Sequence, residues 1–279
     1  MTRRTMLFAG LVALAVLLSG QVITAWPGAS VASPATQRSR PGGSQPPGPT
    51  PRPSVSSPPT TPRPPKPPRK PGGKPGLSRS AYLAALGVKR VTGGGGVALT
   101  FDDGPHPTHT PQILALLRAH RVRATFCLVG IEAYRYPRLV AQIVREGHSL
   151  CNHSWLHELD LGKRPAAEIR ENLARTNAAI RRAVPGARIG YFRHPGGLWT
   201  KAAATVSRQL GMVPLDWNVD PSDWDDATAA QISQRVLAQS RTGSVILLHD
   251  GGGDRAATVA ACRTFIPALK RKYRVVPLR

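Results

Sequence analysis

Short apolar segments alternate with longer segments of helical periodicity from about residue 77 onward, and this alternation constrains the fold more than any other feature. Strands are predicted at 97–101, 124–129, 148–151, 188–192, 212–215, 245–248 and 275–277. Helices are predicted between them, among them 111–120 and 136–146. Repeated alternation of this kind predicts an α/β domain over residues 77–279, with a parallel sheet that is either open or closed into a barrel.

The N-terminus has the pattern of a secretion signal. Arg3 and Arg4 precede an apolar segment at 6–18, and the small residues of Ser30–Ala32 match the positions that a signal peptidase reads. We predict that residues 1–32 are a signal peptide or an uncleaved signal anchor, since the segment approaches the ~20 apolar residues that span a membrane. Both alternatives predict a secreted or cell-envelope, extracytoplasmic protein, and only the anchor would make the membrane a partner.

Residues 33–76 consist mainly of Pro, Gly, Ser, Thr, Arg and Lys. Such a segment buries too little apolar surface to offset its ordering entropy, so we predict a disordered Pro/Arg-rich linker. Residues 1–79 contain eleven basic and no acidic side chains, within a formal net charge of +23. This charge favours retention by anionic wall polymers, with a merely solubilising linker as the alternative. The secretion signal and the lack of aromatic residues in the linker argue against a nucleic-acid partner.

Polar residues directly follow five of the predicted strands. They are Asp102-Asp103, His153, Arg193, Asp216-Trp217 and His249-Asp250. In parallel α/β folds the carboxyl ends of the strands meet at one end of the sheet, and the reactive residues lie there. The sequence therefore predicts an active site built from these clusters.

His153 and His157 are four residues apart, and two imidazoles at that spacing share one face of a helical turn and chelate one ion. A third ligand is required, and one acid of the Asp102–Asp103 pair is the obvious candidate. The other acid then remains free to accept a proton from water. Two histidines and one carboxylate leave an open position, as catalytic zinc sites require. The alternatives are solvated histidines and an ordinary Asp-Gly turn.

His249 is the best candidate for a second proton-transfer group, because the unperturbed pKa of imidazole lies near neutrality. Arg193 and Asp223 are candidate orienting partners, one for a carboxylate and one for an imidazole. The alternative for His249 is a structural histidine bonded to a backbone carbonyl. The alternative for Arg193 and Asp223 is that each forms an ordinary salt bridge.

Five ordered motifs resemble those of the polysaccharide deacetylase family, also called the NodB homology domain or carbohydrate esterase family 4. The resemblance runs from about Gly96 to the C-terminus. The motifs are TFDDG at 100–104, HSWLH at 153–157, part of an R-x-P motif at 193–195, DPSDW at 220–224 and LLH at 247–249. The fold that the resemblance implies is a distorted (β/α) barrel of about seven strands.

The resemblance implies a role for each matched residue. Asp103, His153 and His157 would hold a divalent metal, usually zinc, with cobalt or another transition metal as alternatives. Asp102 would be the base that deprotonates the metal-bound water, and His249 the acid that protonates the leaving amine.

Further roles implied by the resemblance concern orientation and substrate binding. Arg193 would orient the base and Asp223 the acid. Trp224 and Leu247 would line the pocket for the acetyl methyl group, and the backbone N–H of Gly196 would stabilise the oxyanion. The family often has an aromatic residue where Gly196 stands, so we expect another ring to stack on the sugar. The candidates for that ring are Trp199, Trp155 and Tyr191.

Three cysteines are too few for a disulfide scaffold, and their spacing fits no zinc motif. Cys127 and Cys151 lie on successive predicted strands, which parallel sheets often place side by side. We hypothesise a disulfide between them in an oxidising compartment. The alternative is two buried free thiols, because strand geometry often disallows a bridge.

The activity implied by the resemblance is hydrolytic N-deacetylation of a polysaccharide that contains N-acetylglucosamine, such as peptidoglycan or a chitin-type oligomer. One alternative is an acetylxylan esterase, since an ester is an easier substrate for the same site. The other is a glycan-binding relative that has lost catalysis. The secretion signal and the basic linker favour a cell-wall or extracellular polysaccharide as the partner.

Overall fold

A computed structural model describes residues 77–279, and the predictions for residues 1–32 and 33–76 lie outside this part of the chain. The helices are α1 (Arg79–Ala85), α2 (His109–Ala119), α3 (Gly130–Arg135), α4 (Pro137–Arg145), α5 (Ala166–Ala183), α6 (Lys201–Gln209), α7 (Ala229–Gln239) and α8 (Ala256–Lys272). The strands are β1 (Gly96–Asp102), β2 (Thr125–Leu128), β3 (Ser149–Asn152), β4 (Ile189–Phe192), β5 (Val213–Pro214), β6 (Val245–His249) and β7 (Arg274–Val275). Short 3₁₀ turns lie at Leu161–Lys163 and Pro195–Gly197. None of the described helices is long and apolar enough to cross a membrane.

The seven strands form one sheet in the order β5-β4-β3-β2-β1-β6, with β7 beside β1, and every pair is parallel. After β5 the chain crosses from β4 towards β6. The N–H of Leu215 donates to the carbonyl of Phe192 at 2.9 Å, and that of Val219 donates to the carbonyl of Val245 at 3.2 Å. The sheet is thereby curled into a half-barrel with helices outside it. The predicted distorted (β/α) barrel is confirmed.

Strand residues alternate between two cores, because successive side chains of a strand point to opposite faces. The outward set packs against the helices, and its members include Leu99, Phe101, Phe126, Leu128 and Leu248. The inward set fills the barrel, and its members include Ala98, Cys127, Cys151, Tyr191 and Val245. Burial on both faces explains the near-continuous apolar strands of the sequence.

The helices agree with the predicted periodicity, apart from their ends and two additions. Ile169, Leu173 and Ile180 of α5 are all buried on one face. The short helices α1 and α3 were not predicted, because their seven and six residues are too few to show a helical period.

Cys127 and Cys151 are register partners on β2 and β3, as the sequence suggested, but all three cysteines are free and buried. The hypothesised disulfide is absent, and the free-thiol alternative agrees with the structure. Neighbouring strands lie about 4.8 Å apart, and register partners on parallel strands point the same way, so their Cβ atoms are separated by about that distance. The Cβ atoms of a disulfide lie only about 3.8 Å apart. Burial also raises the pKa values of the Cys127 and Cys262 thiols, so both remain protonated and unreactive.

Candidate active site

The site lies at the carboxyl end of the barrel, where the inward-facing rows of the strands end. Its side chains continue these rows with the two-residue period of a strand. Asp102 follows Thr100 on β1, His153 follows Cys151 after β3, Arg193 follows Tyr191 after β4, and His249 follows Leu247 on β6. The predicted gathering of strand-end residues is therefore a consequence of the barrel interior.

Asp102 is paired with Arg193 in the interior, and the exposed fractions of their side chains are only 3% and 0%. Nη1 of Arg193 lies 2.7 Å from Oδ1 of Asp102 and also donates to the Thr100 hydroxyl at 2.8 Å. Nη2 donates to the carbonyl of Asp216 at 3.2 Å. Burial alone would lower the pKa of the guanidinium, but the Asp102 carboxylate raises it, so Arg193 stays charged. The second oxygen of Asp102, Oδ2, is left facing Nε2 of His153 at 3.7 Å.

Three predicted ligands converge beside Asp102. Oδ1 of Asp103 lies 3.4 Å from Nε2 of His153 and 3.4 Å from Nε2 of His157. The three ligand atoms all lie within 4.8 Å of one another. Oδ1 of Asp103 is buried and has no hydrogen-bond partner, which a cation would supply. Two imidazole nitrogens and one carboxylate oxygen form the donor set of a catalytic zinc site, so these residues fit the metal that the family resemblance implies.

The two histidines are brought together by a loop, which corrects the predicted helical turn. Residues 153–157 are not helical, and Ser154 and His157 have φ values of 65° and 59°. The N–H of Ser154 donates to the Asn152 side chain at 2.9 Å, and the Ser154 hydroxyl donates to Glu158 at 2.7 Å. These local side-chain bonds replace helical backbone bonds and hold the loop in its left-handed turns.

The directions of the pKa shifts at the three predicted ligands favour binding of a cation. Burial raises the pKa of Asp103. The neighbouring imidazoles of His153 and His157 lower it by a larger amount, so the net shift is downward. Burial lowers the pKa of His157, which keeps a lone pair on that ring. Burial also opposes the charge on His153, yet Asp102 and Asp103 raise its pKa overall. We therefore expect His153 to release a proton when a cation binds.

His249 is bound to Asp223, as the sequence suggested. Nδ1 of His249 lies 2.7 Å from Oδ1 of Asp223, and the backbone N–H of His249 donates to Oδ2 at 2.9 Å. The hydroxyl of Thr258 also donates to Oδ2 at 2.9 Å. Burial lowers the pKa of His249, but the Asp223 carboxylate outweighs it and raises the pKa to about 9. The imidazole is thus protonated at neutral pH, and Nε2 has no hydrogen-bond partner among the described residues.

The loops after β1 and β6 fit together with no space for additional side chains. Asp103 has a φ of 72°, which turns its carboxylate towards the histidines. A Cβ on Gly252 would collide with Oδ2 of Asp103, and one on Gly104 would collide with the carboxylate of Asp250. Asp103 and the loop that follows His249 are therefore held in direct contact.

Asp250 is a buried carboxylate whose function the sequence did not indicate. Its Oδ2 accepts a hydrogen bond from the Thr110 hydroxyl at 2.5 Å, and its backbone N–H donates to the Asp102 carbonyl at 3.0 Å. Burial raises its pKa to about 7. Asp250 joins α2 to the loop that carries the two predicted functional acids.

The model of a family described as polysaccharide deacetylase matches residues 89–215. The chain is 40% identical over 188 residues to a chitooligosaccharide deacetylase of Sinorhizobium fredii, in an alignment of 64% of this chain and 87% of that protein. The chain belongs to the polysaccharide deacetylase family.

Two further proteins are similar to this chain. A peptidoglycan-N-acetylglucosamine deacetylase of Bacillus cereus is 37% identical over 183 residues, which cover 64% of this chain and 84% of that protein. A solved peptidoglycan N-acetylglucosamine deacetylase superposes with a TM-score of 0.67 at 33% identity, over 72% of this chain and 95% of that chain.

The residues predicted to bind substrate differ in their exposure. Leu247 is buried, whereas the side chain of Trp224 is exposed beside Asp223, with a relative exposure of 41%. Gly196 has a φ of 63°, and a Cβ there would lie 3.1 Å from the Leu159 side chain. The exposed leucines near these motifs are Leu156, Leu159 and Leu198.

None of the three rings expected to stack on a sugar is available for it. Trp155, Trp199 and Tyr191 are all more than nine-tenths buried. Trp199 donates to Asp216 at 3.3 Å, and the Tyr191 hydroxyl donates to the carbonyl of Arg279 at 2.7 Å. This expectation was wrong because apolar and polar partners inside the fold already use these rings.

Helix α1, which precedes the matched residues, is joined to the site through Asp216. Nη1 of Arg79 lies 2.8 Å from Oδ2 of the buried Asp216, and Nη2 donates to the Gly197 carbonyl at 3.3 Å. The hydroxyl of Tyr82 donates to the Trp199 carbonyl at 3.2 Å. These bonds hold the loop that contains Gly196. The sequence reasoning missed Arg79, because its partner lies 137 residues away.

Proposed function

We propose that this protein removes N-acetyl groups from N-acetylglucosamine residues of an extracellular glycan by metal-dependent hydrolysis. The observation that carries this proposal is the arrangement of a carboxylate base, three converging ligand atoms and a protonated imidazole at one end of the barrel. Relatives that act on chitooligosaccharide and peptidoglycan support the same substrate class.

Asp103, His153 and His157 would hold the cation, with zinc best suited to this donor set. When bound, it supplies Lewis acidity towards the acetamide carbonyl and the attacking water. The chain contributes the orientation of the ligands. Nδ1 of His153 is bonded at 2.8 Å to the Arg193 carbonyl, so its Nε2 faces the site.

Asp102 is proposed as the general base. Arg193 occupies its Oδ1, so Oδ2 is the oxygen that accepts the proton of the attacking water. The buried guanidinium fixes the direction of the carboxylate through a charge-assisted hydrogen bond.

His249 is proposed as the general acid, which protonates the amine nitrogen as the tetrahedral intermediate collapses. Amines are poor leaving groups unless they are protonated, so this step requires a group that is charged at neutral pH. Asp223 supplies that condition, because it raises the pKa of His249 to about 9. The proton leaves from Nε2, since Nδ1 is engaged with Asp223.

Substrate contacts are proposed at the remaining predicted residues. The backbone N–H of Gly196 would donate to the developing oxyanion. Leu247 and Trp224 would line the pocket for the acetyl methyl group. Exposed leucines beside the site would contact the sugar in place of an aromatic ring.

The location of the reaction is a further proposal. We propose that the protein acts outside the cytoplasm, because residues 1–32 have the pattern of a secretion signal. The basic linker at 33–76 would retain the domain at anionic wall polymers. Cell fractionation with an antibody to the domain tests the location, and recovery in the cytoplasm alone would contradict it.

Acetate release tests the activity. The purified protein is supplied with zinc and offered chitin oligomers, peptidoglycan and acetylxylan in parallel, with Asp102→Asn as the control. We expect release from a glycan that contains N-acetylglucosamine and loss of that release in the variant. Release from acetylxylan alone would favour an esterase, and no release with metal bound would leave a glycan-binding protein.

A further inference from the structure

A groove of about 440 Å³ lies between α3 and α5, outside the candidate active site. We call it the α3–α5 groove. It is lined by Ile131, Tyr134, Trp155, Arg175, Ala178, Ala179 and Arg182. Its side chains are therefore apolar, aromatic or cationic, and none of them is acidic.

The guanidinium groups of the two arginines of the groove lie over its two aromatic rings. The guanidinium carbon of Arg175 lies 3.9 Å from the centre of the Trp155 ring, and that of Arg182 lies 4.1 Å from the centre of the Tyr134 ring. The two rings meet edge to face at 6.4 Å. Stacking holds each guanidinium in place while its N–H donors stay free at the edge of the plane.

These cations have unused hydrogen-bonding capacity. Arg175 makes no hydrogen bond or ion pair with any described residue. Arg182 donates from Nη2 to the Tyr134 carbonyl at 2.8 Å, and its other nitrogens have no partner. The acid nearest in sequence to the lining of α3, Glu132, is paired with Arg135 at 2.9 Å. The groove thus presents positive charge without a counter-ion from the described residues.

The spacing of the cations leaves room for a ligand between them. Arg175 and Arg182 are seven residues apart on α5, which places them on one face and about 10 Å apart along the axis. Ala178 and Ala179 lie between them, and their small side chains form the floor. Planar guanidinium groups in this arrangement match carboxylates, which accept paired N–H donors.

We propose that the α3–α5 groove binds the carboxylate groups of peptidoglycan, and that it favours this polymer over uncharged chitin as the substrate. This inference rests on the proposed function, since it assigns the bound polymer to the same active site. The groove adjoins that site through Trp155, which lies on the loop between the ligands His153 and His157. The backbone carbonyl of Trp155 accepts the N–H of Ile131 at 3.0 Å, so loop and groove share one framework.

Calorimetric titration of the full chain tests the groove directly. The probe is a disaccharide-peptide fragment of peptidoglycan, compared with the same fragment after its carboxylates have been converted to amides. We expect R175Q/R182Q to raise the Kd of the carboxylate fragment at least tenfold. The amidated fragment should bind weakly to both proteins and with equal affinity.

Arg181→Gln is the matched control, because Arg181 is an exposed arginine of the same helix outside the groove. We expect its Kd to stay within twofold of the unaltered protein. Arg175→Lys keeps the charge but loses the planar donor pair, so we expect an intermediate Kd. Equal weakening in Arg181→Gln, or equal binding of the two fragments, would overturn the proposal. Tighter binding of inorganic phosphate than of the carboxylate fragment would also overturn it and favour a phosphate polymer.

Turnover separates this proposal from the proposed function. R175Q/R182Q should keep the unaltered rate of acetate release from chitotetraose, which also shows that it is folded. Its KM for peptidoglycan should rise about tenfold with little change in kcat. If the unaltered protein releases no acetate from either glycan, the proposed function fails, while the calorimetric difference still reports on the groove. An unchanged KM for peptidoglycan would contradict the role of the groove in substrate choice.

Discussion

The backbone carbonyl of Arg193 lies 2.8 Å from Nδ1 of His153, while the side chain of the same arginine holds Asp102 at 2.7 Å. One residue therefore orients both a proposed metal ligand and the proposed base. The position of Asp102 relative to His153 thus depends on a single residue that follows β4.

Arg193→Lys should lower kcat about 100-fold with little change in KM. The lysine keeps the charge, but it has one nitrogen in place of the fork that bonds Thr100, Asp102 and the Asp216 carbonyl. Steady-state acetate release measures the effect. Arg188→Lys, a change at an exposed arginine, should leave kcat unaltered. If kcat of both variants stayed within threefold of that of the unaltered protein, the role of Arg193 would be contradicted.

Removal of divalent metal should abolish activity, and added zinc should raise the Tm. One zinc ion per chain at 100 times its Kd stabilises by about 2.7 kcal/mol, which corresponds to about 5–10 °C. Asp103→Asn should remove most of this shift, because it neutralises the one carboxylate among the three ligands. Calorimetry and thermal unfolding measure both effects. The exposed change Glu171→Gln should retain the full shift, and a zinc response in Asp103→Asn equal to the unaltered one would refute the assignment.

The alkaline limit of activity should follow the ionisation of His249. The acid must be protonated to act, and its pKa of about 9 predicts a loss of kcat as the pH rises through that value. Asp223→Asn removes the carboxylate that raises this pKa, so the limit should move down by about two pH units. The exposed change Asp226→Asn should not move it.

The pairing of His249 with Asp223 also makes the free energy of unfolding depend on pH. The pKa of His249 is higher in the folded chain than its ordinary value of 6.5, so the stabilisation is complete below about pH 6.5 and is lost as the pH rises towards 9. Chemical unfolding of the unaltered protein and of Asp223→Asn at several pH values measures this loss. Identical pH dependence in the two proteins would exclude the pair as its cause.

A thiol assay under denaturing, non-reducing conditions should find three free thiols per chain. Cys127 and Cys151 are neighbours in register, but all three cysteines are free in the structure. Denaturation is needed because buried thiols do not reach the reagent. A count of one would instead mean that two of the cysteines form a disulfide.

Arg79→Ala should lower the free energy of unfolding by about 1–2 kcal/mol and lower kcat a few-fold. Arg79 is half-exposed, which weakens its ion pair, but the substitution leaves the buried Asp216 carboxylate with fewer partners. The Gly197 carbonyl loses a donor at the same time. Thermal unfolding and acetate release measure both effects. Lys201→Ala, at an exposed position of α6, should change neither.

The sequence predicted the positions of the acids and histidines because strand ends are visible as the ends of apolar segments. Asp102 and His249 follow directly from this rule, and they are register partners on β1 and β6. The loop between His153 and His157 was not predictable, because the spacing of two histidines is the same in a helix and in this turn. The left-handed conformation of Ser154 is held by bonds from Ser154 to the side chains of Asn152 and Glu158, and the N–H of Leu156 also donates to Glu158.

Contacts between distant segments were the least predictable part of the site. The pairing of Asp223 with His249 spans 26 residues and was suggested by motif resemblance, whereas Arg79 with Asp216 spans 137 residues and no motif includes Arg79. The contact of Arg175 with Trp155 likewise joins helix α5 to the loop after β3, and the periodicity of the sequence does not indicate that these two segments meet. Tertiary packing determines such pairs, and a single sequence contains no direct signal for them.

The close fit of Gly104 and Gly252 against Asp250 and Asp103 has a consequence for how the substrate range of this chain can evolve. A side chain added at Gly252 would displace the carboxylate of Asp103, a proposed metal ligand, and one added at Gly104 would displace Asp250 in the loop that follows His249. The chemical machinery therefore tolerates little drift. The exposed leucines at 156, 159 and 198 have no such constraint, so adaptation to a new glycan is expected to proceed through them while the reaction itself is inherited unchanged.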